Sequence, residues 1–118
     1  MSNTSQGALG EQIAAQFLTK LGFRIIDRNF TMRGGEIDLI ALHRGILVFV
    51  EVKTRANLYF GSPESAVTPA KLRFIERTAI YYKHTHTGLP GAMRIDVVAI
   101  LLQNGKTPEI THLKNVTG

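Results

Sequence analysis

Two carboxylates and a lysine fall where a strand would otherwise be most apolar. The run Ile46-Leu-Val-Phe-Val50 continues directly into Glu51-Val-Lys53. Side chains alternate along a strand, so Leu47, Phe49, Glu51 and Lys53 share one face. The preceding run, Gly35-Glu-Ile-Asp-Leu-Ile-Ala41, supplies another acid, Asp38. Arg44-Gly45 between the runs is short enough for a two-residue hairpin. In that register Ile40 faces Phe49, Asp38 faces Glu51 and Glu36 faces Lys53. Carboxylates directly opposite stand about 5 Å apart at Cβ and destabilise the sheet. A divalent cation would offset the repulsion, because Mg²⁺ is held by one or two carboxylates together with substrate phosphates. A shared proton or a nearby arginine would also serve. With a metal, the group could polarise a phosphoryl oxygen and activate water. Lys53 could then orient or deprotonate that water, or neutralise charge building on the phosphate. The same three residues also read as a structural ion-pair cluster at a strand end.

A third acid is available on the first amphipathic segment. The residues three and four positions from Glu11 are Gly7, Ala8, Ala14 and Ala15, small enough for a helix to approach a sheet closely. Glu11 is either part of the same site or a solvated helix flank. Beyond Lys53, the set Arg55, Tyr59 and Phe60 could contact backbone phosphate and stack on an exposed base, or the rings could cap the core. Lys71, Arg73, Arg77 and Lys83 offer a phosphate-facing surface, although such charges commonly form only a solvated face. Arg94 and Asp96 share a strand face and read as a structural pair. His84-Thr-His86 has a spacing that does not converge on a helix, so it reads as surface and not as a metal site.

The elements that must position these groups follow from periodicity. Leu9, Ile13, Ala14, Phe17, Leu18 and Leu21 recur at helical spacing, predicting a helix over 7–21 that Gly22 stops. Strands are predicted over 23–30, 36–43 and 46–54, the last apolar on both faces and therefore central. A polar loop spans 55–67. Thr68-Pro69 then pairs a hydroxyl cap with a first-turn proline and opens a helix to about residue 83, with Leu72, Ile75, Ala79 and Tyr82 inward. Strands over 92–102 and 109–113 flank an Asn104-Gly105 turn. The order α-β-β-β-α-β-β predicts an α/β architecture, a mixed sheet with helices on its faces, with 1–118 forming a single domain.

Composition narrows the classes. The 118 residues contain no cysteine, which excludes disulfide scaffolds, thiolate metal sites and cysteine nucleophiles. No apolar run approaches the ~18 residues of a membrane span. The opening MSNTSQGALGEQ has neither the basic start nor the apolar core of a secretory signal. The expectation is a cytoplasmic protein with no membrane partner. Fourteen Lys+Arg against nine Asp+Glu give a net charge of +5, which favours a polyanion, nucleic acid first. Setting Glu11, Asp38 and Glu51 aside in one pocket leaves six acids against fourteen bases, a shell of +8.

Gly35-Glu-Ile-Asp38 with Glu51-Val-Lys53 resembles the PD-(D/E)xK signature of restriction-endonuclease-like nucleases, with Ile37 where the signature has proline. More closely, the chain is similar to the YraN-like family, related to archaeal-type Holliday junction resolvases. The resemblance covers most of the chain: Gly10-Glu11 with Ala14, Gly22 with Arg28-Asn29, Phe49-Val-Glu-Val-Lys-Thr-Arg55, Val67-Thr68 with Lys71, and Arg94-Ile-Asp-Val-Val98. It implies a restriction-endonuclease-like fold, with Mg²⁺ or Mn²⁺ held by Asp38 and Glu51, completed by Glu11, and Lys53 as the catalytic lysine. It further implies an endonuclease acting on DNA more readily than RNA, on branched or single-stranded forms, and a homodimer, since two strands must be cut. The alternative is a non-catalytic nucleic-acid-binding module on the same fold.

Overall fold

A computed structural model describes residues 5–59 and 61–117. Helix α1 (Ser5–Lys20) precedes three strands: β1 (Arg24–Met32), β2 (Gly35–His43) and β3 (Ile46–Arg55). A short 3-10 helix, Pro63–Ala66, interrupts the stretch expected to be loop. Helix α2 (Pro69–Thr85), β4 (Met93–Leu101) and β5 (Glu109–Leu113) complete the order. The sheet runs β1-β2-β3-β4-β5 in space. Only β3 and β4 pair in parallel, joined by the α2 crossover, and every other neighbour is antiparallel. This is the expected α/β mixed sheet with two flanking helices. Among the described residues, no helix is long and apolar enough to cross a membrane.

Local chemistry accounts for the elements. Arg44 and Gly45 have φ of +51° and +78°, the positive pair that a tight hairpin matching strand twist requires. The Thr68 hydroxyl accepts the Lys71 N–H at 3.1 Å and caps α2, with Pro69 in the first turn. Alternation on β3 divides the core. Val48, Val50 and Val52 pack with Ala14, Ala15 and Leu18 of α1, whereas Leu47 and Phe49 pack with Phe74, Ile75, Ala79 and Tyr82 of α2. Glu51 and Lys53 therefore continue the α2 face.

Two details of the helices differ from expectation. Leu9 and Leu21 are about half exposed, at 48% each. Helix α1 is seated instead by small residues, because Gly10 is buried and any Cβ there would collide with the Thr54 side chain on β3. That close approach carries Glu11 to the strand ends. Gly10→Val is expected to cost about 1–3 kcal/mol by overpacking, measured as a lower denaturant midpoint. On α2, Leu72 is only partly buried, and Phe74 and Thr78 join the core. The Phe74 ring would stand 3.2 Å from a Cβ on Gly35, whose φ is +155°, so glycine is required immediately before Glu36.

Candidate active site

The β2–β3 ladder follows the expected register from His43 opposite Ile46 to Leu39 opposite Val50, and pairing ends there. Accordingly, neither Asp38 with Glu51 nor Glu36 with Lys53 is a cross-strand pair. Alternation also breaks: Leu39 and Ala41 pack on the α1 side, but Ile37 joins Ile40 on the α2 side. Where the strands part, the Val52 N–H donates to Asp38 Oδ2 at 2.8 Å. Asp38 thus replaces a backbone carbonyl as the acceptor and is fixed beside Glu51.

Opposite Asp38 on β1, Asn29 adopts the left-handed region with φ +51°, which asparagine tolerates better than most residues. Its Nδ2 donates to Glu11 Oε1 at 3.0 Å and to Glu36 Oε2 at 2.9 Å. Glu11, Glu36 and Asp38 each place a carboxylate oxygen within 4.8 Å of the others. Glu36 therefore occupies the place in this trio expected for Glu51. Period-two alternation was the available signal, since it sets Glu36 and Asp38 on one strand face.

Glu51 adjoins the trio and is 2% exposed. Lys53 Nζ stands 3.6 Å from its Oε2 and Lys71 Nζ stands 3.7 Å from its Oε1. These separations exceed hydrogen-bond length, and Glu51 Oε1 is buried with no hydrogen-bond partner. Lys71 is held by donating to the Glu36 carbonyl at 3.1 Å and by lying 5.3 Å from the Phe74 ring centroid. It joins Lys53 at the acids and leaves the solvent-facing row of Arg73 and Arg77, both exposed.

Burial, then the charge of Glu51, pushes the Asp38 carboxyl up to about 8. The Val52 N–H and Lys71 oppose that rise, and Glu11 adds to it. Burial likewise pushes Glu51 up, against the pull of Lys71 and Lys53. Such a pair titrates as a unit and holds a proton where isolated carboxyls are ionised. All four acids present oxygen donors, the set preferred by Mg²⁺ and Mn²⁺. The partnerless Oε1 of Glu51 is a buried acceptor that a cation or its water would satisfy. The residues present therefore fit a divalent cation.

Tyr59 is 87% exposed, and Arg55 is half-buried beyond Lys53. Phe60 lies outside the described residues. Lys83 donates to the Gly91 carbonyl at 2.6 Å, which ties α2 to the loop before β4. A cavity of about 820 Å³ opens between α1 and β1, with Glu11 and Asn29 on its wall.

Arg94 and Asp96 form a separate structural cluster. Arg94 donates twice to the fully buried Asp96, at 2.9 and 3.2 Å. His112 Nε2 lies 2.8 Å from Asp96 Oδ2, and the Asn115 N–H donates to Oδ1 at 3.0 Å. Asp96 thereby fastens β5 and the segment after it to β4. Asp96→Ala leaves Arg94, His112 and the Asn115 N–H without their shared partner and is expected to cost about 3–5 kcal/mol, measured by denaturant unfolding.

A family model described as "Uncharacterised protein family UPF0102" matches residues 10–100. A UPF0102 protein of Trichlorobacter lovleyi is 46% identical over 114 residues, covering 96% of this chain and 90% of the relative. One of Geotalea daltonii is 47% identical over 113 residues, covering 96% and 89%. One of Syntrophomonas wolfei is 44% identical over 113 residues, covering 96% and 97%.

Proposed function

The chain belongs to the UPF0102 family, and we propose that it is a divalent-metal-dependent phosphodiesterase that cleaves nucleic acid. The observation that carries this reading is the buried Asp38–Glu51 pair, flanked by Glu11 and Glu36, with two lysines beside it. A purely structural ion-pair cluster would not need four acids against two lysines, nor would it leave a buried carboxylate oxygen without a hydrogen bond.

Glu11, Glu36, Asp38 and Glu51 would hold Mg²⁺ or Mn²⁺. When bound, the cation supplies positive charge that polarises a phosphoryl oxygen and eases ionisation of water. The protein's own groups do the remainder. Asn29 and the Val52 N–H fix three of the acids, so little reorganisation accompanies binding. Lys53, one-third exposed at the strand end, can reach a phosphate oxygen while staying near Glu51. Its ammonium stabilises the charge that builds there as water oxygen bonds to phosphorus and the ester oxygen leaves. Tyr59, Arg55, Arg73 and Arg77 offer stacking and phosphate contacts around the site.

The resemblance of Gly35-Glu-Ile-Asp38 and Glu51-Val-Lys53 to PD-(D/E)xK nucleases supports DNA as the substrate. Its likeness to resolvases favours branched or single-stranded forms cut by a homodimer. The test is a panel of branched, single-stranded and duplex DNA and RNA, incubated with Mg²⁺ and Mn²⁺. Cleavage of at least one form, stopped by chelator, is the expected result. Binding without cleavage by the wild type across all metals and shapes would replace this reading with a non-catalytic module.

A further inference from the structure

We infer that the cavity between α1 and β1 is a binding groove for a single nucleic-acid strand, which it grips on one side of the acid site. The inference rests on the phosphodiesterase reading and adds the place and form of the substrate. The cavity, about 820 Å³, is lined by Ala8, Glu11, Gln12, Ala15, Gln16, Thr19 and Lys20 of α1 and by Arg28 and Asn29 of β1. The α1 positions recur three, four, seven and eight residues apart, which places them along one helix face. Alanines at the first and middle turns leave the space open.

The chemistry of the lining changes along its length. At one end lies Glu11, joined through Asn29 to Glu36. Arg28 follows on β1, next to Asn29, and Lys20 lies at the far end of the helix, both exposed and neither side chain paired with a carboxylate among the described residues. Nine residues of helix separate Glu11 from Lys20, about 13 Å along the axis. A strand whose scissile phosphate sits at the acids would then pass Arg28 and bring a later phosphate to Lys20. Gln12 and Gln16 line the stretch between with amides that both donate and accept. Those groups suit the edges of unpaired bases, which a duplex keeps engaged with its partner strand. The volume is of the size that encloses a small ligand, about 300–1,000 Å³, and therefore admits a few nucleotides of one strand.

The test separates the groove from charge in general, and binding from cleavage. A fluorescein-labelled single-stranded 12-mer of deoxythymidine is titrated in EDTA, with the same length of duplex and thymidine monophosphate as further arms. Ala8→Trp fills the groove without altering charge. The Lys20→Glu/Arg28→Glu double variant reverses its two cations. Lys106→Glu, at the β4–β5 turn, is the charge control.

The expected result is preferred binding of the single strand. Binding should fall at least tenfold in the first two variants and stay within twofold in the control. The double variant no longer neutralises two phosphates, so its salt dependence should be flatter by about 1.4. Unchanged binding in both groove variants, with folding checked by circular dichroism, overturns the inference even when cleavage persists. Tighter binding of the monophosphate or the duplex, or no binding by the wild type, overturns it too. Groove-dependent binding by a wild type that never cleaves would sustain the groove and remove the phosphodiesterase.

Discussion

Glu51→Gln is expected to lower metal-dependent cleavage by at least about 10³-fold, the scale of losing a preorganised charge from a water-poor site. The substitution keeps the volume and removes one buried anion. Burial already disfavours that anion, and Lys53 and Lys71 retain side-chain exposures of 32% and 27% through which they can be solvated. Circular dichroism should therefore be unchanged while single-turnover cleavage is lost. Lys53→Ala should cost about 10²–10³-fold in the same assay. Neither rate should recover at higher substrate concentration, because in the proposed mechanism both side chains act on developing charge more than on initial binding. Equal rates for wild type and Glu51→Gln would remove this carboxylate from the chemistry.

The second large effect concerns stability, and its sign is opposite to the usual one for carboxylates. In metal-free protein the Asp38–Glu51 pair keeps a proton up to about pH 8, whereas an unfolded aspartate releases it near 3.8. Between those values the folded state binds more protons than the unfolded state. Each step up in pH then favours unfolding, so stability held below about pH 4 is lost progressively as pH rises to about 8. Asp38→Asn removes the titration and can keep the Val52 N–H acceptor through its carbonyl. In EDTA at pH 8 its Tm is expected to exceed that of the wild type by about 5 °C or more. At pH 4 the difference should nearly vanish. A lower Tm for Asp38→Asn at pH 8 would contradict burial of a reluctant anion.

Most of the sheet was legible because its signals were local. The apolar run of β3 marked a central strand, alternation placed Glu51 and Lys53 with Phe49, and Arg44-Gly45 set a register that holds as far as Leu39 and Val50. The grouping of the candidate residues was legible in their types and less so in their partners. Pairing rules extended the hairpin three residues too far, since nothing in the β2 run announces that Val52 will bond a side chain in place of a carbonyl. Asn29 was hidden for a related reason: its left-handed backbone and its bridge between two glutamates arise from tertiary contacts. Lys71 looked like one more charge on a helix surface. Its position at Glu51 depends on Phe74 lying against the two glycines before Glu36.

The proposed divalent-cation site joins Glu51 to the trio of Glu11, Glu36 and Asp38. Calorimetric titration of Mn²⁺ at pH 8, comparing the wild type with Asp38→Asn, Glu36→Gln and Glu11→Gln, measures it directly. One saturable site per chain is predicted for the wild type, abolished by Asp38→Asn and weakened about tenfold or more by each glutamine variant. No saturable heat in the wild type, or the same affinity in all four proteins, would contradict it.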